Sequence, residues 1–308
     1  MPDATRPAGA LFVGSGVALV TPLDDQGVNE AVLRELVRFQ IGEGTDALIV
    51  NGSTGEAPAM SAAEQRRAVE IVVDEAAKRV PVIAGAGGSD TAAVAGLARG
   101  AREAGADALL IAPPPYSKPP QRGIVAHFRH VMDAGGLPAI AYNVPGRTAC
   151  NILPETMEIL AEDERIVGVK EASGDISQVA EVCRRLADRV AVYSGNDDQI
   201  VPLMSLGGVG VISVLANVAP RDTARMAHAF LEGAVAEARD LQLRYLPLIA
   251  AIFREANPIP IKAAVEMLGF AVGQPRLPLV PLSDGARAEL VEARKKSDGP
   301  PAALTGQG

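Results

Sequence analysis

The chain has 308 residues, of which 48% are hydrophobic and 21% charged, with a formal net charge of −8. That length is enough for a sizeable core in one large domain. The acidic balance argues against nucleic acid as a partner, because phosphate binding needs a basic surface. The absence of Trp and an aromatic content of 3% leave few platforms for stacked bases.

No apolar run reaches the roughly 18 residues that span a bilayer, so no membrane partner is expected. Residues 1–10 contain Pro and Asp but no apolar leader core, and read as an N-terminal tail. From residue 16 onward, short apolar runs alternate with stretches of helical periodicity. The pattern predicts strands over 16–20, 47–50, 80–84, 108–111, 139–143, 166–170, 190–194 and 209–214. Several helix boundaries carry their own chemistry. Ser61-Ala62-Ala63-Glu64 has capping-box spacing, Thr91 stands where a cap is needed, and Pro154 suits a first helical turn. Gly42 and Gly105 fall where a left-handed residue would end a helix.

Strands and helices in strict alternation imply parallel strands, and eight such units close a (β/α)8 barrel. A doubly wound open sheet is the competing arrangement; eight regular units over about 215 residues favour the barrel. The expected fold is therefore α/β, a (β/α)8 TIM barrel over 11–232 with a C-terminal helical extension over 233–296. Helices are expected in that extension at 234–254, 259–268 and 284–296. Residues 297–308, rich in Gly, Pro and Ala, read as a disordered tail.

Active sites of such barrels gather at the C-terminal ends of the strands. Lys170 ends the sixth predicted strand, where alternation puts Ile166, Gly168 and Lys170 on one face and Val167 and Val169 on the other. Lys78, Lys118, Lys262, Lys295 and Lys296 fall in helical or loop contexts where solvation is easy. Burial disfavours an ammonium, and a neutral amine is the nucleophile that forms an imine with a ketone. An ion-paired lysine at a strand end is the alternative. The fifth strand ends in Tyr142-Asn143-Val144-Pro145-Gly146-Arg147-Thr148, with a phenol at the barrel mouth and a guanidinium fork suited to a carboxylate. Tyr142 and Lys170 lie on neighbouring strands, and a phenol beside an imine-forming amine can move protons on and off the carbinolamine. After the second strand, Asn51-Gly52-Ser53-Thr54-Gly55-Glu56 offers amides and hydroxyls to a small anion, or is an ordinary polar turn. Gly85-Ala86-Gly87-Gly88-Ser89-Asp90 lacks a P-loop lysine and reads as a turn, as does Gly207-Gly208-Val209-Gly210. Cys150 and Cys183 stand without metal-type spacing and read as small buried hydrophobes in a reducing, cytoplasmic compartment. No Cys or carboxylate pattern joins His127, His130 and His228, so neither a metal nor another cofactor is expected.

With these residues assembled, the chain resembles the dihydrodipicolinate synthase and N-acetylneuraminate lyase family of pyruvate-dependent class I aldolases, from Gly14 to about Pro281. The motifs are Gly52-Ser53-Thr54-Gly55-Glu56, Tyr142-Asn143-Val144-Pro145 and Gly168-Val169-Lys170-Glu171-Ala172. Segments 210–218 and 257–262, the loop Pro115-Tyr116-Ser117-Lys118-Pro119, and Arg147 before Thr148 are similar to the synthase branch. The resemblance implies that Lys170 forms a Schiff base with pyruvate and that Tyr142 donates and accepts the proton. It implies a relay completed by Ser53 and by Tyr116, the latter reaching in from a neighbouring subunit of a homotetramer built as a dimer of dimers. Thr54 and Ile212 would hold pyruvate, Arg147 the carboxylate of aspartate 4-semialdehyde, and Gly195 would lie near that second substrate. Ser53 stands where the family usually has threonine, and keeps the hydroxyl.

The implied activity is condensation of pyruvate with L-aspartate 4-semialdehyde on the route to diaminopimelate and lysine. One alternative is a sialic or 2-keto-3-deoxy sugar acid as substrate, with Asn196, Asp197 and Asp198 meeting its hydroxyls. Another is a pyruvate-binding barrel without turnover. Family members under feedback control hold L-lysine at the dimer contact by polar or charged groups. The matching positions here are Ala62, Gln65, Ala93 and Pro115, which offer no charged acceptor. Free lysine is therefore expected hardly to inhibit, unless Glu56 or Asp90 builds a rearranged site.

Overall fold

Eight short parallel strands, each bonded to its neighbours in chain order, close on themselves into a barrel. The computed structural model describes residues 9–297. The strands are β1 (Gly14–Ala18), β2 (Ala47–Val50), β3 (Val82–Ala86), β4 (Ala108–Ile111), β5 (Ala139–Asn143), β6 (Ile166–Glu171), β7 (Ala191–Ser194) and β8 (Gly210–Ser213). β8 returns to β1 with Gly210 opposite Gly14. All eight predicted strands are present in the predicted order. β1 starts earlier than expected and β3 later, so that Gly85 and Ala86 are strand residues rather than the start of a loop.

One pattern failed at β6. The pairing of β5 with β6 slips between Ala139 and Ile140, setting Ala139 opposite Ile166 but Ile140 opposite Gly168. The extra residue turns the strand's start over. Ile166 joins Val169 in the outer core instead of sharing the face of Lys170. Gly168 does open inward, where an added Cβ would meet Tyr193 at 3.1 Å and Ile140 at 3.4 Å.

Helices cover the outside: α1 (Glu30–Gly42), α2 (Ala62–Ala76), α3 (Thr91–Glu103), α4 (Gln121–Gly135), α5 (Pro154–Leu160), α6 (Ile176–Leu186), α7 (Ile200–Ser205) and α8 (Pro220–Leu231). The capping box forms as expected: Glu64 N donates to Ser61 Oγ and Ser61 N donates to Glu64 Oε2. Asp90, not Thr91, caps α3 by accepting from Ala92 N. Thr91 is already helical, and its hydroxyl pairs with His127 Nδ1 at 2.9 Å. Gly105 has the expected positive φ of 89°, but at the end of α1 the left-handed residue is Gly44, because the helix runs through Gly42. A small hairpin, Leu23–Asp24 with Gly27–Val28, was not expected; its strands are too short for any alternation to show.

The barrel floor is shut. The Phe12 ring stacks on Tyr193 at 4.4 Å between centroids, and the Tyr193 hydroxyl donates to Phe12 O at 2.7 Å. Gly16 makes room for this ring, since a Cβ there would lie 2.8 Å from both Phe12 and Ile49. Ala10, assigned by sequence to the tail, is buried in the same cluster with Ile83, Leu110, Ile140 and Ile212. The rest of the predicted N-terminal tail, apart from Gly9, lies outside the described residues. The extension consists of α9 (Val235–Ile252), α10 (Ile259–Glu266) and α11 (Asp284–Ser297). Ser297 closes α11, and the remainder of the predicted C-terminal tail lies outside the described residues.

Removing the Phe12 ring leaves a cavity under the barrel. Phe12→Ala is expected to lower stability by about 3–5 kcal/mol in urea unfolding. A loss under about 1 kcal/mol would show that the floor does not depend on this ring.

Candidate active site

The strand ends and the βα loops above them enclose one cleft at the open mouth, lined by Ser53, Thr54, Tyr142, Arg147, Lys170, Gly195 and Asn257 among others. Tyr142 and Lys170 are direct partners in the β5–β6 register, and Lys170 Nζ lies 4.3 Å from the centre of the phenol ring. Lys170 is only 5% exposed. Its stem passes beneath Gly195, where a Cβ would stand 3.1 Å from Lys170 Cε and 2.6 Å from Ala172 Cβ. Glycine is thus required there for the amine to reach the mouth.

Burial strips water from the Lys170 ammonium, and with the positive charge of Arg147 it lowers the pKa to about 7 against the pull of Asp197. Tyr142 keeps part of its surface open to the cleft, yet burial of the phenol pushes its pKa up to about 12, with Arg147 acting the other way. Near neutrality the site therefore pairs an amine that is partly free base with a phenol that holds its proton. One is a nucleophile and the other a proton donor.

The other expected residues separate into those the fold brings to this pair and those it does not. Ser53, Thr54, Arg147 and Gly195 all line the cleft. Ile212 lies in the interior layer below, opposite Gly16 in the β1–β8 register. Tyr116 is 92% exposed, with a φ of 71° and its amide donating to Thr148 O. Within one chain it does not line the cleft. Of the three groups considered for sugar hydroxyls, only Asn196 lines the cleft. Asp197 is buried and committed to the end of β8, accepting from Ser213 Oγ at 2.6 Å, Val214 N at 3.0 Å and Leu215 N at 2.9 Å. Asp198 is exposed.

Two features escaped sequence reasoning. Lys262 is not solvated: it and Glu56 are each 1% exposed and form an ion pair at 2.7 Å. Lys262 Nζ also donates to Gln274 O, and the second Glu56 oxygen accepts from Arg276 N at 2.8 Å. The other feature is Asn257, whose Nδ2 donates to Thr54 Oγ1 at 2.9 Å while its carbonyl accepts from Arg147 Nη2 at 3.0 Å. The only local signal for either was that both end one apolar run, Asn257-Pro258-Ile259-Pro260-Ile261-Lys262.

Fold and cleft together define an α/β-barrel protein with a desolvated lysine beside a tyrosine at its mouth. The model of the dihydrodipicolinate synthetase family matches residues 11–297. A 4-hydroxy-tetrahydrodipicolinate synthase of Thermoanaerobacter sp. (strain X514) is 51% identical over 275 residues, covering 89% of this chain and 93% of that protein. A protein of the same name from Caldicellulosiruptor bescii is 48% identical over 92% of this chain and 96% of its own length. Among solved structures, the dihydrodipicolinate synthase of Thermotoga maritima superposes with a TM-score of 0.91 at 37% identity, covering 93% of this chain and 99% of that one. The Aquifex aeolicus enzyme gives 0.90 at 40% identity, covering 92% and 98%. The chain belongs to the dihydrodipicolinate synthetase family, and it is an enzyme of this class. Among the described residues, no helix is long and apolar enough to cross a membrane.

The lowered pKa has a direct readout. Lys170 loses its proton as pH rises through about 7, so labelling by an amine reagent should climb through that window. Exposed lysines should wait until about pH 10.4. A half-point for Lys170 above about pH 9 would contradict its desolvation. A second readout concerns L-lysine. The Gln65 amide is already donating to Ala57 O and Met60 O, Glu56 is locked to Lys262, and Asp90 caps α3. L-lysine at about a millimolar should leave turnover unchanged; half-inhibition below that would reveal an acceptor elsewhere.

Proposed function

We propose that this enzyme condenses pyruvate with L-aspartate 4-semialdehyde to give 4-hydroxy-tetrahydrodipicolinate, through an imine on Lys170. The observation that carries the reading is the Lys170–Tyr142 pair: an amine with a pKa near 7, 4.3 Å from the ring of a protonated phenol. The name borne by the relatives supports the choice of substrates.

The free amine of Lys170 attacks the ketone carbon of pyruvate, and Tyr142 supplies the proton with which the carbinolamine hydroxyl leaves as water. Loss of a methyl proton turns the imine into an enamine, whose terminal carbon attacks the aldehyde carbon of the second substrate. The resulting alkoxide takes a proton. The α-amine of that substrate then displaces Lys170 from the imine carbon, closing the ring and freeing the enzyme. One water is released overall, and nothing is oxidised or reduced.

Thr54 offers a hydroxyl to the pyruvate carboxylate, with Ile212 as the apolar surface beneath it. Arg147 presents its guanidinium to the carboxylate of the semialdehyde, beside Gly195. Ser53 and Tyr116 carry protons between Tyr142 and solvent. The exposure of Tyr116 supports its arrival from a neighbouring subunit, in a homotetramer assembled as a dimer of dimers in the cytoplasm. The commitment of Asp197 to β8 weighs against a sugar acid as substrate.

Pyruvate with borohydride should leave a reduced three-carbon adduct on Lys170, and turnover should be greatest when the aldehyde is aspartate semialdehyde. Peptide mass spectrometry and a comparison with N-acetylmannosamine and glyceraldehyde check both. An adduct on another lysine would sink the chemistry, and faster turnover of either sugar aldehyde would sink the substrate.

A further inference from the structure

We infer that Asn257, in the connection between α9 and α10 of the C-terminal extension, is a positioning residue that sets the hydrogen-bond polarity of Thr54 and the reach of Arg147. The inference rests on the proposed reaction, in which those two side chains hold the carboxylates of the two substrates.

A threonine hydroxyl carries one proton and can either give it or keep it directed at a neighbour. Asn257 Nδ2 lies 2.9 Å from Thr54 Oγ1, and an amide N–H can only donate. The Thr54 oxygen is thus the acceptor in this bond, and its own proton is left to point at an anion in the cleft. Asn257 Oδ1 is buried with no partner among the described residues. The backbone of the same residue accepts from Arg147 Nη2 at 3.0 Å. One residue therefore touches both anion-holding groups, from a segment 203 residues beyond Thr54 and 110 beyond Arg147.

The position of Asn257 is itself held from behind. Further along the extension, the Lys262–Glu56 ion pair and the bond from Arg276 N to Glu56 grip the far end of the loop that carries Thr54. Arg276 adds bonds to Ala59 O and to Glu64. That loop needs outside support, because Asn51 and Glu56 at its two ends both hold positive φ without being glycine. The extension thus clasps the loop at Thr54 and again at Glu56.

The decisive change is Asn257→Asp, which keeps the shape and replaces the donor with an acceptor. The new carboxylate draws the Thr54 proton to itself and adds a negative charge near two anion sites. At about pH 8 the KM for pyruvate should rise about tenfold or more over the parent enzyme, with kcat within about threefold. Asn257→Ala, which merely frees the hydroxyl, should raise it less. The ratio of variant to parent KM should then fall as the new carboxyl group is protonated, in a range raised above about 3.9 by burial. A structural role alone would make alanine at least as harmful and would show no such reversal.

In a Thr54→Val background the Asn257→Asp penalty on pyruvate should largely vanish, because the coupling partner is gone. Equal KM values for Asn257→Asp, Asn257→Ala and the parent would overturn the inference, as would a penalty unaffected by pH. Should Asn257→Asp fail to fold, an unchanged pyruvate KM in Asn257→Ala overturns it equally. The borohydride adduct of the parent enzyme separates the two claims. Its absence refutes the reaction, whereas its presence with unchanged variant KM values refutes only the role of Asn257.

Discussion

Everything at the mouth of this barrel depends on keeping water off one amine. An ammonium in water is held by solvation, and only its removal to a 5% exposed position brings the Lys170 pKa down to about 7. Nearby carboxylates would undo this. Asp197 is near enough to pull the pKa of Lys170 back up, but burial raises its own pKa and three hydrogen bonds hold it at the end of β8. Glycine at 195 and the phenol of Tyr142 complete the dry surround without adding a negative charge. The site is therefore a balance among burial, one buried carboxylate and one guanidinium.

The same physics acts at Lys262, with a carboxylate in direct contact. There the ammonium is buried as well, yet it has Glu56 at 2.7 Å and a carbonyl beside it. Burial lowers its pKa, and contact with Glu56 only partly offsets that shift. Two buried lysines in one chain thus have different fates according to what touches them. A paired one is a fastener, and an unpaired one beside a phenol is a reagent. Removing either partner of the fastener would leave a bare buried charge, which costs about 3–5 kcal/mol.

Much of this was legible in the chain. Strands 47–50, 108–111 and 139–143 were read to the residue, because parallel strands covered on both faces are short unbroken apolar runs between turn signals. The nearness of Tyr142 and Lys170 followed from strand order alone. What stayed hidden was long-range or sub-residue in scale. The slip at Ile166 leaves no mark in composition, because an inserted backbone position looks like any other residue. The choice between Asp90 and Thr91 turned on one position, and both are capping residues. Lys262 looked solvated because its partner lies 206 residues earlier, and Asn257 finds Thr54 across 203. No local pattern can report such a contact.

The closed floor of the barrel also decides the order of events. Phe12 and Tyr193 seal one end, so the cleft is a blind well with a single doorway. Lys170 sits near the bottom of that well, while Arg147 is exposed at the rim. A molecule destined for the bottom has to pass the rim before another lodges there. In the proposed condensation the two guests are then joined, so the doorway admits them one at a time and releases them as one.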